Sequence, residues 1–262
     1  RGLESWIVDR FDISSSRRPE SGRYAAINPA SYLEDWDVLL DEVIRRTYPL
    51  ARDPHVRVPI RLTVCEQGGA AGVTDKAYEY WRKLRVPGLA VNDPPYMREN
   101  PAPGEPTTRS RFALVKGEHT PSCGRADFSL PDNRGRANRA ASARGDVPVY
   151  RINSNIMKDA IAGDLMRSEP GPGFVHLPDW LAPSFFEELT SEVRGPDGWD
   201  KKRHDRNEAF DLHYYGRAAC VILNAESIDW DREPKWIADQ FLRPDQNPKT
   251  MSLTDIARAH NG

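Results

Sequence analysis

The stretch VPIRLTVCEQGGAAGVTDKAYEYWRKL, residues 58–84, decides the fold class. Ile60, Leu62 and Val64 alternate onto one face, the period of a strand, and the run ends in the tight turn Glu66-Gln67-Gly68-Gly69. Tyr78 and Trp81 then share one face at helical spacing, which predicts a helix over residues 74–84. A strand, a sharp turn and a helix packing back is the unit from which α/β sheets are built. Glu66 closes the strand where two glycines let a ligand approach the backbone, so its carboxylate is a candidate for a hard cation. A surface acid that caps the next turn has the same pattern.

The same logic extends in both directions. Residues 4–13 (ESWIVDRFDI) alternate and read as a strand, and residues 14–23 as a loop. Ser31 and Glu34 form a capping-box pattern ahead of Leu33, Trp36, Leu40, Val43, Ile44 and Thr47, predicting a helix to about Tyr48 that Pro49 stops. Downstream, six prolines from Pro87 to Pro106 exclude regular structure and mark an inserted loop over about residues 85–111. A strand at 112–115 runs into Lys116-Gly117, and residues 124–146 read as a second loop. Then come a strand at 147–152, a helix at 156–166, a strand at 174–177 after Gly171-Pro172-Gly173, and a helix at 183–193 with proline in its first turn. A last long helix covers 206–223, after which the chain turns polar, with one short helical candidate at 252–259. Strands alternating with helices predict a three-layer mixed α/β domain over 1–223 and a tail over 224–262.

Composition narrows the function classes. The 262 residues carry a net charge of -2 and no apolar run longer than a strand, so no membrane span is expected. Cys65, Cys123 and Cys220 are far apart without paired spacing, which suggests neither a disulfide framework nor a zinc ribbon and suits a reducing cytoplasm. The chain starts at Arg1 with no leader-like pattern and reads as a fragment of a longer protein. Charge is uneven: residues 109–151 hold nine basic and four acidic side chains, and Lys201-Lys202-Arg203-His204-Asp205-Arg206 precedes the last helix. Such clusters on a near-neutral protein suit phosphate contact at one face, or two solvated loops.

Glu208 and Asp211 lie three apart at the start of that helix, with Tyr215 following on the same face. Acids there also complement the helix dipole. Carboxylates that hold metal beside cations that hold phosphate are what DNA hydrolysis requires. Lys116, at a strand end, is a candidate for steadying a scissile phosphate, and Lys158 is a second lysine of the same kind; a solvated lysine is the plain alternative for both. The histidines lack zinc spacing, and neither a Walker phosphate loop nor a G-x-S-x-G elbow occurs, so no ATP site is expected.

Arg206-Asn207-Glu208-Ala209-Phe210-Asp211, with Ala218-Ala219 beyond it, resembles the R-N-E-A-L-D signature of the nuclease domain of lambda-like tailed-phage terminase large subunits. In the family's order, Glu4 to Arg10 resembles its third strand, Cys65 to Gly69 its C-W-D-[TS]-G-G turn, and Leu114 to Gly117 its P-I-K-G strand end. Met157-Lys158-Asp159 resembles its A-K-E helix, and Gly171 to Pro178 its P-G-x-x-H-F-P strand. The resemblance spans most of residues 1–223 and fades in the inserts and the tail.

It implies an RNase H-like three-layer α/β/α fold with a mixed central sheet, in which three acids gather one or two Mg²⁺ or Mn²⁺ ions. By motif position Glu66 and Asp211 are two of these acids, Glu208 an adjacent ligand or proton-handling group, and Lys116 the basic helper. The first acid belongs to a G-[VI]-D strand that this chain lacks, and Asp9 is a candidate stand-in whose matching position is a strand interior. Arg206, Lys201, Lys202, Arg203 and Lys158 are the implied DNA contacts. The function implied is metal-dependent cutting of concatemeric duplex DNA during genome packaging, without strong sequence choice, in the host cytoplasm. Its implied partners are an upstream ATPase domain, the terminase small subunit and the procapsid portal. A non-catalytic DNA-binding or portal-docking module of the same fold is the rival, and a transposase or junction resolvase a third reading that the ordered motifs disfavour.

Overall fold

Leu114 and Val115 are neighbours in sequence and lie in different cores. Phe112 and Leu114 pack with Trp36, Tyr80 and Trp81, whereas Ala113 and Val115 pack with Met157, Phe210 and Tyr214. A strand buried on both faces must sit inside a sheet that is covered on both sides.

The computed structural model describes residues 2–18, 25–86, 89–92, 108–120, 122–131, 145–201 and 205–232. Its strands are β1 (Ser5–Trp6), β2 (Thr47–Leu50), β3 (Asp53–Pro59), β4 (Thr63–Glu66), β5 (Phe112–Glu118), β6 (Asp127–Ser129), β7 (Val149–Asn153), β8 (Val175–His176), β9 (Glu192–Gly195) and β10 (Gly198–Lys201). Its α-helices are α1 (Val73–Lys83), α2 (Ser154–Leu165), α3 (Pro183–Leu189) and α4 (Glu208–Ile222). The central sheet has the order β4-β5-β7-β6, with β4, β5 and β7 parallel and β6 antiparallel. The expected mixed α/β architecture is present. One face of the sheet carries α1 and the turns before β2, the other α2, α3 and α4. Among the described residues no helix is long and apolar enough to cross a membrane.

Several expectations are corrected. Only Ser5–Trp6 of residues 4–13 forms a strand, parallel to β8. Beyond it Asp9 is drawn away by Arg46 (2.9 Å) and by the Tyr48 hydroxyl (3.0 Å), and the segment leaves the extended pairing. The helix expected to reach Tyr48 breaks into a 3₁₀ turn, Leu33–Trp36, and a π-helical turn, Leu40–Ile44. Its capping box does not form, because Tyr32 is the capping residue and no side chain caps the turn. The Asp35 carboxylate instead takes the Ser16 hydroxyl at 2.6 Å and the Asn28 N–H at 2.7 Å, tying this region to the N-terminal segment.

Thr47 and Pro49 lie in the β2–β3 hairpin, where a two-stranded ribbon accommodates proline. The strand expected over 58–65 is split after Pro59, where the Arg61 guanidinium donates to the carbonyls of Thr108 and Ser110. The third helix stops at Leu189, not at 193, and the β9–β10 hairpin follows. Asp127–Ser129 is a short strand inside an expected loop. Residues 93–107, 132–144 and the helical candidate at 252–259 lie outside the described residues.

The α1 face depends on one large side chain. Trp81 is fully buried among the aromatic and aliphatic residues behind β5. Trp81→Ala should lower the unfolding free energy by about 3–5 kcal/mol, read from urea melts, since neighbours anchored in the sheet and in α1 cannot collapse into the void.

Candidate active site

At the carboxyl ends of β4 and β5 a cleft of about 270 Å³ is lined by Glu66, Gly117, His119, Ser154, Lys158, Glu192, Lys201, Asn207, Asp211, Tyr214 and Tyr215, among others. Glu66 reaches it through strand alternation: Val64 packs into the core beneath α4, and Glu66, two residues on, faces the same way at the strand's open end. Asn207, Asp211, Tyr214 and Tyr215 reach it through the helical repeat, at successive positions on one side of α4.

Lys158 from α2 binds the two sides of this site together. Its ammonium donates to Glu192 at 2.7 and 2.9 Å and lies 2.8 Å from Asp211 Oδ1. The Lys158 and Glu192 side chains are only 8% and 3% exposed. The ammonium also sits 5.0 Å from the ring centre of Tyr214 and 5.2 Å from that of Phe210, in range of cation–π attraction. Asn207 Nδ2 donates to Asp211 Oδ2 at 2.9 Å and to Glu192, while Lys201 Nζ donates to Asn207 Oδ1 at 2.8 Å. The expected role of Lys158 was contact with DNA; its donors are directed at carboxylates in a buried position.

The other half of the cleft is phenolic. Burial raises the pKa of both Tyr214 and Tyr215, which keeps the hydroxyls neutral; after burial, the nearby Tyr214 and the negative charge of Glu66 add to the rise at Tyr215. Both phenols approach β5 closely because residue 117 is glycine: a Cβ there would lie 2.9 Å from the Tyr214 oxygen and 3.3 Å from that of Tyr215.

The remaining expected residues fall elsewhere. Lys116 is exposed on the opposite side of β5 from Gly117 and does not line the cleft. Glu208 is not among the residues that line the cleft and pairs with Arg206 at 3.1 Å; burial pulls its pKa up, but the helix-start backbone N–H and Arg206 outweigh this and lower it. Arg206 is exposed and also lies 3.4 Å from Glu188, which accepts the Ala209 N–H at 3.1 Å and so caps α4 from α3. Asp9 is held by Arg46 and Tyr48 outside the cleft. Lys202 and Arg203 lie outside the described residues.

Glu192, like His119, Ser154 and Tyr214, lines the cleft and was not revealed by the sequence. In sequence it follows a helix rich in glutamate and has no distinguishing spacing. The β9–β10 hairpin delivers it, and α2 holds that hairpin: Asn155 Oδ1 accepts the Trp199 N–H at 3.2 Å, and Asp159 accepts from Trp199 Nε1 at 2.7 Å and Arg194 Nε at 2.8 Å.

A family model described as the terminase large subunit gpA endonuclease domain matches residues 1–230. The chain belongs to that family. Neither curated proteins nor solved structures give a match. The terminase family makes this a domain of the phage DNA-packaging nuclease, and the match extends over every element that lines the cleft.

Two outcomes test the geometry of this terminase cleft. Lys158→Met leaves Glu192 buried without its cation and should destabilise the fold by about 3–5 kcal/mol in urea titrations, with part recovered on adding Glu192→Gln. Gly117→Ala should cost about 1–3 kcal/mol by overpacking against the tyrosines. Unchanged urea midpoints would show that these contacts are not made.

Proposed function

We propose that this domain is a divalent-metal-dependent endonuclease that cuts concatemeric duplex DNA during genome packaging, and that its sheet is of the RNase H-like type. The convergence of Glu66 and Asp211, from segments far apart in sequence, in one open cleft at the ends of parallel strands carries this reading.

The donor chemistry fits Mg²⁺ or Mn²⁺. Glu66 and Asp211 supply hard oxygens without sulfur, both are accessible to water, and such ions are commonly held by one or two carboxylates with water and substrate phosphate completing the shell. Among the described residues no group of three or more His, Cys, Asp or Glu side chains is arranged to hold a metal, and Glu192 is committed to Lys158. The ion would supply Lewis acidity and a lowered pKa for bound water.

The chain's own groups do the rest. Asp211 uses one oxygen toward Lys158 and one toward Asn207, which fixes its plane and leaves a lone pair on each oxygen for further bonding. Tyr215 lines the cleft beside Glu66, and its raised pKa keeps that phenol neutral. Exposed Lys201 and Arg206, both shortly before α4 in the chain, would take phosphates of the duplex, with Lys202 and Arg203 of the same run proposed to join them. Lys116 would reach a phosphate only from beyond the other face of β5. In the packaging machine the domain would act with an ATPase domain, the terminase small subunit and the procapsid portal.

In the full-length protein, Asp211→Asn and Glu66→Gln should each lower duplex cleavage by about 10²–10³-fold, equivalent to several kcal/mol of transition-state stabilisation. Both should also weaken Mn²⁺ binding followed by calorimetry. Undiminished cleavage by Asp211→Asn would overturn the assignment. Mn²⁺ titrations that ignore both substitutions, with DNA binding retained, would favour a non-catalytic DNA-binding or portal-docking module.

A further inference from the structure

His119 stands on the lip of the cleft and belongs to none of the interactions described so far. It follows the end of β5, is exposed, and lines both the cleft and the neighbouring hollow under the β9–β10 turn. Its Nδ1 lies 2.9 Å from the hydroxyl oxygen of Ser154, the first residue of α2, which is 97% buried. That hydroxyl is also 3.1 Å from the backbone carbonyl of Glu118.

A serine hydroxyl has one hydrogen to give, and a carbonyl oxygen can only accept. Both contacts are therefore hydrogen bonds only if the Ser154 hydroxyl donates to Glu118 and accepts from an Nδ1–H of His119. The neutral ring is then fixed in the Nδ1–H form. Nδ1 keeps its proton in either charge state, and Nε2, which has no partner among the described residues, becomes the only position where the ring gains or loses one.

The support behind this arrangement is rigid. Asn153 caps α2 by accepting the Ile156 N–H at 3.1 Å, and its amide donates to the Cys123 carbonyl at 2.9 Å, so the loop after His119 is pinned to the same helix start that carries Ser154. A surface histidine with no task needs no buried serine to set its tautomer.

We propose that His119 is the proton acceptor for the attacking water, an inference that rests on the endonuclease reading above. In the step, the water oxygen forms a bond to phosphorus and the bond from phosphorus to the leaving oxygen breaks. The water proton passes to the lone pair on Nε2, the leaving oxygen takes a proton from solvent, and Nε2 returns its own to solvent afterwards. No redox change or additional reactant is involved. Ser154 is a positioning residue: it acts only through the tautomer of His119.

Two measurements test this. Nitrogen–proton correlation spectra of the neutral imidazole of His119 in the unmodified protein should show the Nδ1–H form, and Ser154→Ala should release it to a mixture. An Nε2–H form in the unmodified protein overturns the proposal without any activity assay. In the full-length protein, His119→Ala should cut the cleavage rate by about 10²–10⁴-fold, with Mn²⁺ and DNA binding unchanged. Added imidazoles should restore part of the rate, more strongly as their basicity rises. If the unmodified protein cleaves and His119→Ala cleaves equally fast, or imidazoles give no rescue, His119 has no such role and the endonuclease reading survives. If the unmodified protein does not cleave, both fall together.

Discussion

The site depends on one buried cation. Lys158 has almost no contact with water, and an ammonium so placed is tolerated only when opposite charge and hydrogen bonds replace its hydration. Glu192 and Asp211 provide both, and in doing so join α2, the β9–β10 hairpin and α4, three segments that the chain order keeps apart. The pair is not a general contribution to stability, because a well-packed apolar cluster in its place would stabilise the domain at least as much. What it fixes is the position of Asp211. With Asn207 on its other oxygen, this carboxylate has little freedom to rotate, and a site that must meet a phosphate at a defined place gains from that restriction.

Strand alternation selects which residues of the sheet take part. Glu66 and Lys116 both stand at the ends of parallel strands, and spacing alone makes them equivalent candidates. They face opposite ways, because β4 turns its even positions toward α4 while β5 turns its odd ones there, as the register pairing Glu66 with Val115 requires. Gly117 then occupies the place that Lys116 was expected to fill. Its missing side chain admits the two tyrosines, so the acid half of the cleft is backed by neutral phenols rather than by a charge. The register of one strand pair against another is a tertiary fact, and local periodicity does not contain it.

This is also the measure of what the sequence disclosed. The turn after Glu66, the helix bearing Asp211 and the alternation of strands and helices were legible because each is a local pattern of strong period. The early segment was not: residues 4–13 have a strand's alternation, but Asp9 is satisfied by Arg46 and Tyr48, and this outweighs the propensity of their neighbours. The helix expected to end at Tyr48 failed for a similar reason, since the Asp35 carboxylate is used by Ser16 and the Asn28 N–H across a turn. Glu192 was illegible because nothing in its neighbours marks it. It becomes a site residue only when a hairpin of four-residue strands folds back onto α2.

The cleft is thereby divided into two halves of different character. On one side the buried Glu192 and Lys158, with the half-buried Asn207, form a set joined through Glu192 whose oxygens and protons are already in use. On the other, Glu66 and His119 are exposed; the buried Ser154 hydroxyl holds His119, and the Tyr215 phenol lines the same cleft as Glu66. Asp211 belongs to both, held by the first set and one-third exposed toward the second. Such a division suits hydrolysis of a phosphodiester. In the proposed reaction the groups that define geometry would be shielded from competition by water and phosphate, and the groups that exchange ligands or protons would keep their access to both.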